Sequence, residues 1–442
     1  MSMVVVMVIA IIILAFVMMA GAPVPLAFGG AVVWIIFTMG INPMMVTQVG
    51  YASITSYVLL AIPLFIIGGA LMSNSRIGST IVDWFDCFFG RIKGSLTIVS
   101  TCAFALFGAV SGSGMAVLSC LGPILYPKMV AKGYPRGVVA AVLCCAAPLG
   151  LLIPPSVAQI LFAWSANVSV LACFLAIVFP GLLCTVLISI VGLILTRMNA
   201  SNLTVTEKLS AKLWFKKTST TTVKSLPGLF MPVIILGGIY SGIMTTTESA
   251  AVAAVYALVL SCFIYREVKL RDFNRFIGDA GVTTGVIMIG IFFITVFSRL
   301  MLQEGLPQLI LKLLLSVSDH TWVILILINI FMIFIGMVMD DVCGILIVSS
   351  ILTPVVTGIG VSPYQFAAIV GVNLGFGCIT PPSAPFLYVT SRITGVPVKE
   401  MIKYTLIIIL FAYLPVLLIT TYIPEFSLWL PKAILGAKFS AF

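Results

Sequence analysis

Long apolar runs follow one another along the chain, separated by short polar loops. MVVVMVIAIIILAFVMMA (3–20) and WVILILINIFMIFIGMVM (322–339) are each long enough to cross a hydrocarbon core of about 30 Å as a helix. The pattern predicts membrane segments near 3–20, 22–40, 51–72, 95–120, 137–165 and 168–196. A second set is expected near 227–243, 249–265, 280–302, 321–339, 341–360, 365–393, 403–423 and 426–442. The expected fold is therefore an all-α polytopic membrane protein. The first run lacks a basic lead-in and exceeds the roughly 7–15 residues of a signal-peptide core, so it is read as a retained span.

Composition agrees with this pattern. Of 442 residues 61% are hydrophobic and only 8% charged, which excludes an ordinary soluble domain. The net charge of +10 would point to nucleic acid in a soluble protein, but here the basic residues sit in loops and report topology. The stretch 197–225 carries Arg197, Lys208, Lys212, Lys216, Lys217 and Lys224 against the single acid Glu207, so the linker 197–226 is placed in the cytoplasm. The loop 266–275 lies two spans later and falls on the same side; counting back from Arg76, Arg91 and Lys93 puts the N-terminus outside. Ten cysteines show no paired C-x-x-C spacing and are read as small packing residues. No phosphate-binding glycine loop, H-E-x-x-H or nucleophile elbow occurs, which argues against direct use of ATP and against an enzyme.

Two stretches break the apolar rhythm in the same way: LLIPPSVAQ (151–159) and CITPPSAPF (378–386). Superimposing Pro154 on Pro381 gives an offset of 227 residues, and an ungapped match extends upstream to Gly133 and Gly360, with Gly150 falling on Gly377. The chain reads as two copies, 1–196 and 227–442, joined by the basic linker. A double proline in lipid frees carbonyls that must find partners in protein, water or an ion. Broken helices at matching points of two repeats mark the binding site of a secondary transporter; simple structural kinks are the alternative. FGAVSGSGMA (107–116) places Ser111, Gly112, Ser113 and Gly114 inside an apolar run and reads as the tip of a re-entrant hairpin, with G-x-x-x-G helix packing as the alternative. Its counterpart is expected in 336–356, where Asp340 and Asp341 interrupt the run, either as cation-site residues or as a helix start at an aqueous interface. Glu248 opens a small-residue helix after Thr245 and is assigned a capping and scaffold role. His320, Arg299 and Arg392 are placed at the membrane interface.

Taken together, Ser111-Gly112-Ser113, Ile153-Pro154-Pro155-Ser156, Thr245-Thr246-Thr247-Glu248, Gly336 to Asp340 and Gly377 to Pro382 resemble, in order and spacing, the large membrane subunit of tripartite ATP-independent periplasmic (TRAP) transporters. The chain departs from the family pattern at Gly114-Met115-Ala116-Val117, at Thr246 and at Ser383-Ala384. The resemblance implies a bacterial inner-membrane elevator transporter with two inverted repeats, scaffold and transport domains, and re-entrant hairpins. It implies Na⁺-driven import of an organic acid handed over by a periplasmic substrate-binding protein, together with a small four-helix membrane subunit. A stand-alone anion transporter is the alternative. Carried onto this sequence, hairpin tips fall at Ser111–Gly114 and Gly377–Pro382. Substrate contacts would come from Ser111, Gly112, Ser113, Gly114, Pro155, Ser156, Thr380, Pro381 and Pro382. Sodium would be held by Ser111, Ser113, Gly150, Pro154, Gly336, Asp340, Gly377 and Thr380.

Overall fold

The offset of 227 residues organises the helices. In the computed structural model the described residues are 3–90, 92–200, 203, 211–267, 273–381 and 384–436, and none of them is in a β-strand. The first half comprises α1 (Met3–Met19), α2 (Val24–Met39), α3 (Met44–Ile54), a 3₁₀ turn (Tyr57–Leu60) running into α4 (Ala61–Ser73), α5 (Ile77–Phe89), α6 (Leu96–Ser111), α7 (Gly114–Ala131), α8 (Arg136–Ala146), α9 (Leu149–Leu152), α10 (Val157–Ala166) and α11 (Val170–Asn199). The second half comprises α12 (Ala211–Tyr240), α13 (Thr246–Val259) with a π turn (Leu260–Ile264), α14 (Phe273–Gln303), α15 (Leu306–Val317), α16 (Thr321–Val338), α17 (Asp341–Gly358), α18 (Pro363–Gly377), α19 (Pro385–Thr394), α20 (Val398–Ile408), a second π turn (Ile409–Tyr413), α21 (Leu414–Tyr422) and α22 (Pro424–Leu435). Among the described residues eight helices are long and apolar enough to cross a membrane, or ten if each of two bent pairs is one span.

Shifted by 227 residues, α2 falls on α13, the bent pair α3–α4 on α14, α5 on α15, α6 on α16, α8–α9 on α18, α10 on α19 and α11 on α20–α21. α7 coincides with α17 to the residue, and Pro127 of one lands on Pro354 of the other. The packing repeats as well. α4 packs on α13 and α2 on α14, making one bundle; α11 on α18, α8 on α20, α10 on α17 and α7 on α19 make a second. The base of the α6–α7 hairpin carries Lys93, Lys128, Lys132 and Arg136, whereas the base of α16–α17, at 318–321 and 359–362, carries Asp319 and no lysine or arginine. By the positive-inside rule the first hairpin enters from the cytoplasmic face and the second from the opposite one, so the repeats are inverted.

Several segment boundaries shift. The segment near 95–120 is not one span but two antiparallel helices, α6 and α7, because Gly112 turns left-handed at φ +63° and Ser113 is extended. The segment near 51–72 is bent by 54° between α3 and α4. The segment at 426–442 is reduced to the short α22, and residues 437–442 lie outside the described residues. Helix α12 takes up residues 211–226 of the linker. Two helices the hydropathy pattern passed over, α5 and α15, are amphipathic; periodicity at 3.6 residues rather than mean hydropathy is the signal that finds them.

α13 starts as its sequence dictates. The Glu248 backbone N–H donates to Thr245 Oγ1 at 3.2 Å, and Glu248 Oε2 accepts from the Thr245 N–H at 2.8 Å, closing a capping box. Glu248→Ala is expected to lower the melting midpoint of the purified protein while leaving the substrate concentration for half-maximal uptake unchanged. A shift in that concentration would place Glu248 in the transport machinery instead.

Candidate functional site

Four irregular points meet at one level of the second bundle. Tip 1 is Gly112–Ser113 between α6 and α7; break 1 is 147–156; tip 2 is Met339–Asp340 between α16 and α17; break 2 is 378–381, after α18. Tip 1 sits on break 1: the Val157 N–H donates to the Gly112 carbonyl at 3.2 Å. A Cβ on Gly150 would lie 2.9 Å from Gly114 N, and one on Gly108 would lie 2.7 Å from Gly150 Cα, so glycine is the residue that fits. Tip 2 sits on break 2 in the same manner, where a Cβ on Gly377 would approach Gly336 Cα to 2.6 Å and the Ile333 carbonyl oxygen to 2.8 Å. The two halves touch, since a Cβ on Gly375 of α18 would lie 3.1 Å from Pro148 Cβ and one on Gly114 would lie 2.8 Å from the Phe386 ring.

This arrangement corrects one expectation. Of the expected tip Gly377–Pro382, the described part, 377–381, is not a hairpin tip; it is the broken-helix partner of 147–156, and the tip matching Ser111–Gly114 is at 339–340. The facing pairs are nonetheless Ser111–Gly114 with Gly150–Pro155, and Gly377–Pro381 with Gly336–Asp340. Pro382 and Ser383 lie outside the described residues.

The remaining residues divide by exposure. Ser111, Gly112, Gly114, Gly150, Pro154, Pro155, Ser156, Gly336 and Gly377 are buried; Ser113, Thr380 and Pro381 are half-buried, and Asp340 is exposed. Ser111 faces the first bundle, since a Cβ on Gly69 of α4 would lie 3.3 Å from Ser111 Cβ. Thr380 Oγ1 donates to the Phe376 carbonyl at 2.7 Å, which commits its proton and leaves its lone pairs to accept or to ligate. Ser156 Oγ is fully buried and finds no hydrogen-bond partner among the described residues, an arrangement that costs about 1–3 kcal/mol unless a ligand completes it. Neither Asp340 nor Asp341 forms an ion pair among the described residues; Asp341 Oδ1 accepts from the Val342 N–H at 3.1 Å.

Chemically, α7, α10, α17 and α19 begin at this level, while α6, α9, α16 and α18 end there. Beginning helices offer N–H donors and partial positive charge to an anion, and ending helices offer carbonyls to a cation. Asp340 and Asp341 already occupy the start of α17, so negative charge concentrates at tip 2. The serines of tip 1 and break 1 instead stand at helix starts without an acid, at α7 and α10. Gly108, which the sequence offers only through its G-x-x-x-G spacing with Gly112, is a further contact glycine at this site, against Gly150.

Comparison with known proteins agrees with the architecture. Residues 11–426 match the family model described as tripartite ATP-independent periplasmic transporter, DctM component. A C4-dicarboxylate TRAP transporter large permease protein of Pseudomonas aeruginosa is 36% identical over 378 residues, covering 85% of this chain and 86% of that one. A sialic acid TRAP transporter large permease protein of Vibrio cholerae is 30% identical over 92% of this chain and 93% of its own length. An isethionate TRAP transporter permease protein of Oleidesulfovibrio alaskensis is 32% identical over 93% of this chain but 64% of its own length, so the chain spans under two thirds of that relative. The YdaH transporter of Alcanivorax borkumensis shares the fold, with a TM-score of 0.60 at 15% identity over 85% of this chain and 87% of that one.

Proposed function

Because this chain belongs to the DctM component family of tripartite ATP-independent periplasmic transporters, we propose that it imports a small organic acid by Na⁺ symport. It is a multi-pass inner-membrane protein and not an enzyme. In this reading a periplasmic binding protein delivers the substrate and a small four-helix membrane subunit packs on the first bundle. That first bundle is the scaffold, and the second bundle, carrying both tips and both breaks, is the mobile transport domain of an elevator.

The observation that carries the reading is the separation of charge at the site. The Asp340–Asp341 couple at tip 2, without an ion pair among the described residues, favours a cation, held by Thr380 Oγ1 and by carbonyls at the ends of α16 and α18. The helix starts at Ser113–Gly114 and Ser156–Val157 favour the substrate's acid group. The names of the relatives point to C4-dicarboxylates, sialic acid and isethionate, all acids, which fits an anion site and leaves the class at organic acid.

Reconstitution in liposomes with the small subunit and a binding protein tests this. Uptake of labelled acid that needs both an inward Na⁺ gradient and the binding protein is the expected result. Uptake with Na⁺ but without the binding protein would instead establish a stand-alone transporter, and uptake indifferent to Na⁺ would overturn symport. In the same assay Thr380→Val, which keeps the shape and removes the oxygen, is expected to raise the half-saturating Na⁺ concentration about tenfold, equivalent to roughly 1.4 kcal/mol of cation affinity.

A further inference from the structure

A seam of buried amides runs through the second repeat. A cavity of about 530 Å³ opens at the periplasmic ends of α16, α18 and α21, lined by Asp319, His320, Trp322, Gln365, Thr421 and Tyr422 among others. Its rim is ordered by side chains: the His320 ring stacks on Trp322 with centroids 6.4 Å apart, and Tyr422 OH donates to the Trp322 carbonyl at 3.1 Å. At the floor, Gln365 Nε2 donates to the Thr421 carbonyl at 2.9 Å. Asn329 Nδ2 donates to Thr421 Oγ1 at 3.1 Å, and Asn373 Nδ2 donates to Asn329 Oδ1 at 2.9 Å. Asn373 Oδ1, fully buried, has no donor among the described residues.

These side chains descend toward the proposed site. Asn373 is one turn before Gly377 on α18, and Asn329 is two turns before Gly336 on α16. Gly377 and Gly336 are where break 2 meets tip 2. The seam therefore leads from an open cavity to the foot of the acidic tip.

The inverted copy supplies an internal control. At the matching positions the first repeat has Val138 for Gln365, Cys102 for Asn329, Ala146 for Asn373 and Ile194 for Thr421. The same backbone thus packs with apolar or small side chains, so the fold does not require the amides. Hydrogen-bonded polar pairs in an interior are seldom more stable than apolar groups of the same shape, and an orphaned amide oxygen is a net cost.

We propose that the α16–α18–α21 seam is a hydrated passage by which a small monovalent cation moves between the periplasmic cavity and break 2, with Asn329 and Asn373 handing it inward. The oxygens it presents, from amides, a threonine hydroxyl and carbonyls, are hard ligands suited to Na⁺ and water. This inference rests on the proposed Na⁺ coupling.

The test measures the Na⁺ dependence of uptake in liposomes for the wild type, the double variant Asn329→Leu/Asn373→Leu, and Asn373→Asp. The leucine pair replaces both partners of a buried hydrogen bond, so its melting midpoint is expected to hold or rise. Its half-saturating Na⁺ concentration is expected to rise at least tenfold, whereas Asn373→Asp, which adds a charge at the orphaned oxygen, lowers it. Should the leucine pair fail to fold, Thr421→Val gives the same readout. Wild-type uptake that depends on Na⁺, with unchanged Na⁺ dependence in the folded variants, overturns the passage alone. Wild-type uptake without Na⁺ dependence overturns both the passage and the symport beneath it.

Discussion

Gly377→Ala is expected to reduce uptake below about 1% of wild type while the protein still inserts in the membrane. The added Cβ would fall 2.6 Å from Gly336 Cα, 2.7 Å from Gly336 C and 2.8 Å from the Ile333 carbonyl oxygen. All three are backbone atoms, so no rotamer change relieves the clash. Either α16 or α18 must shift, and overpacking of this kind typically costs about 1–3 kcal/mol. The larger effect is geometric, because the shift separates tip 2 from break 2, where the cation is proposed to sit. Gly237→Ala is the control, since nothing lies within 4 Å of the added atom. Near-normal uptake by Gly377→Ala would mean that the tip-to-break contact is not part of transport.

Ser156→Ala should separate stability from activity. The Ser156 hydroxyl is buried without a partner among the described residues, so its removal relieves about 1–3 kcal/mol of unsatisfied desolvation. The melting midpoint of the variant is therefore expected to rise. Uptake is expected to fall at least tenfold if the hydroxyl completes its hydrogen bonding on the substrate's acid group, with the loss appearing as a raised half-saturating substrate concentration. A more stable variant with wild-type uptake would remove Ser156 from the site and make the orphaned group a packing accident.

Much of this was written in the chain in a form that simple rules recover. Proline and glycine act locally, so Pro154, Pro155, Pro381 and the Ser111–Gly114 motif marked their breaks without tertiary information, and the offset they define carries the register of nearly every later helix. The motif set quoted for the large TRAP subunit likewise named the family that the match over residues 11–426 shows. Which irregular points face each other was harder to read. Gly377 belongs to a broken helix and Asp340 to a hairpin tip, yet both are short interruptions of apolar sequence, and only the antiparallel return of α17 onto α16 tells them apart. The buried amides escaped notice for a different reason. Asn329 and Asn373 are single polar residues inside long apolar runs, 44 positions apart, and their pairing exists only once α16 and α18 pack together.

Two backbones of one shape, inserted in opposite senses, can exchange conformations. If the first repeat adopts the local geometry of the second and the second that of the first, the molecule turns itself inside out with its backbone packing conserved, and the two end states differ chiefly where side chains differ. Those positions are many, and the ones of opposite polarity at the site and the seam include Ser113 against Asp340, Val138 against Gln365, Cys102 against Asn329, and Ala146 against Asn373. The resting occupancy of inward- and outward-facing forms is then set by the sum of such side-chain differences, each 1.4 kcal/mol or so of asymmetry moving that ratio about tenfold. A near-symmetric scaffold thus makes the direction in which the empty transporter waits an adjustable property of the sequence.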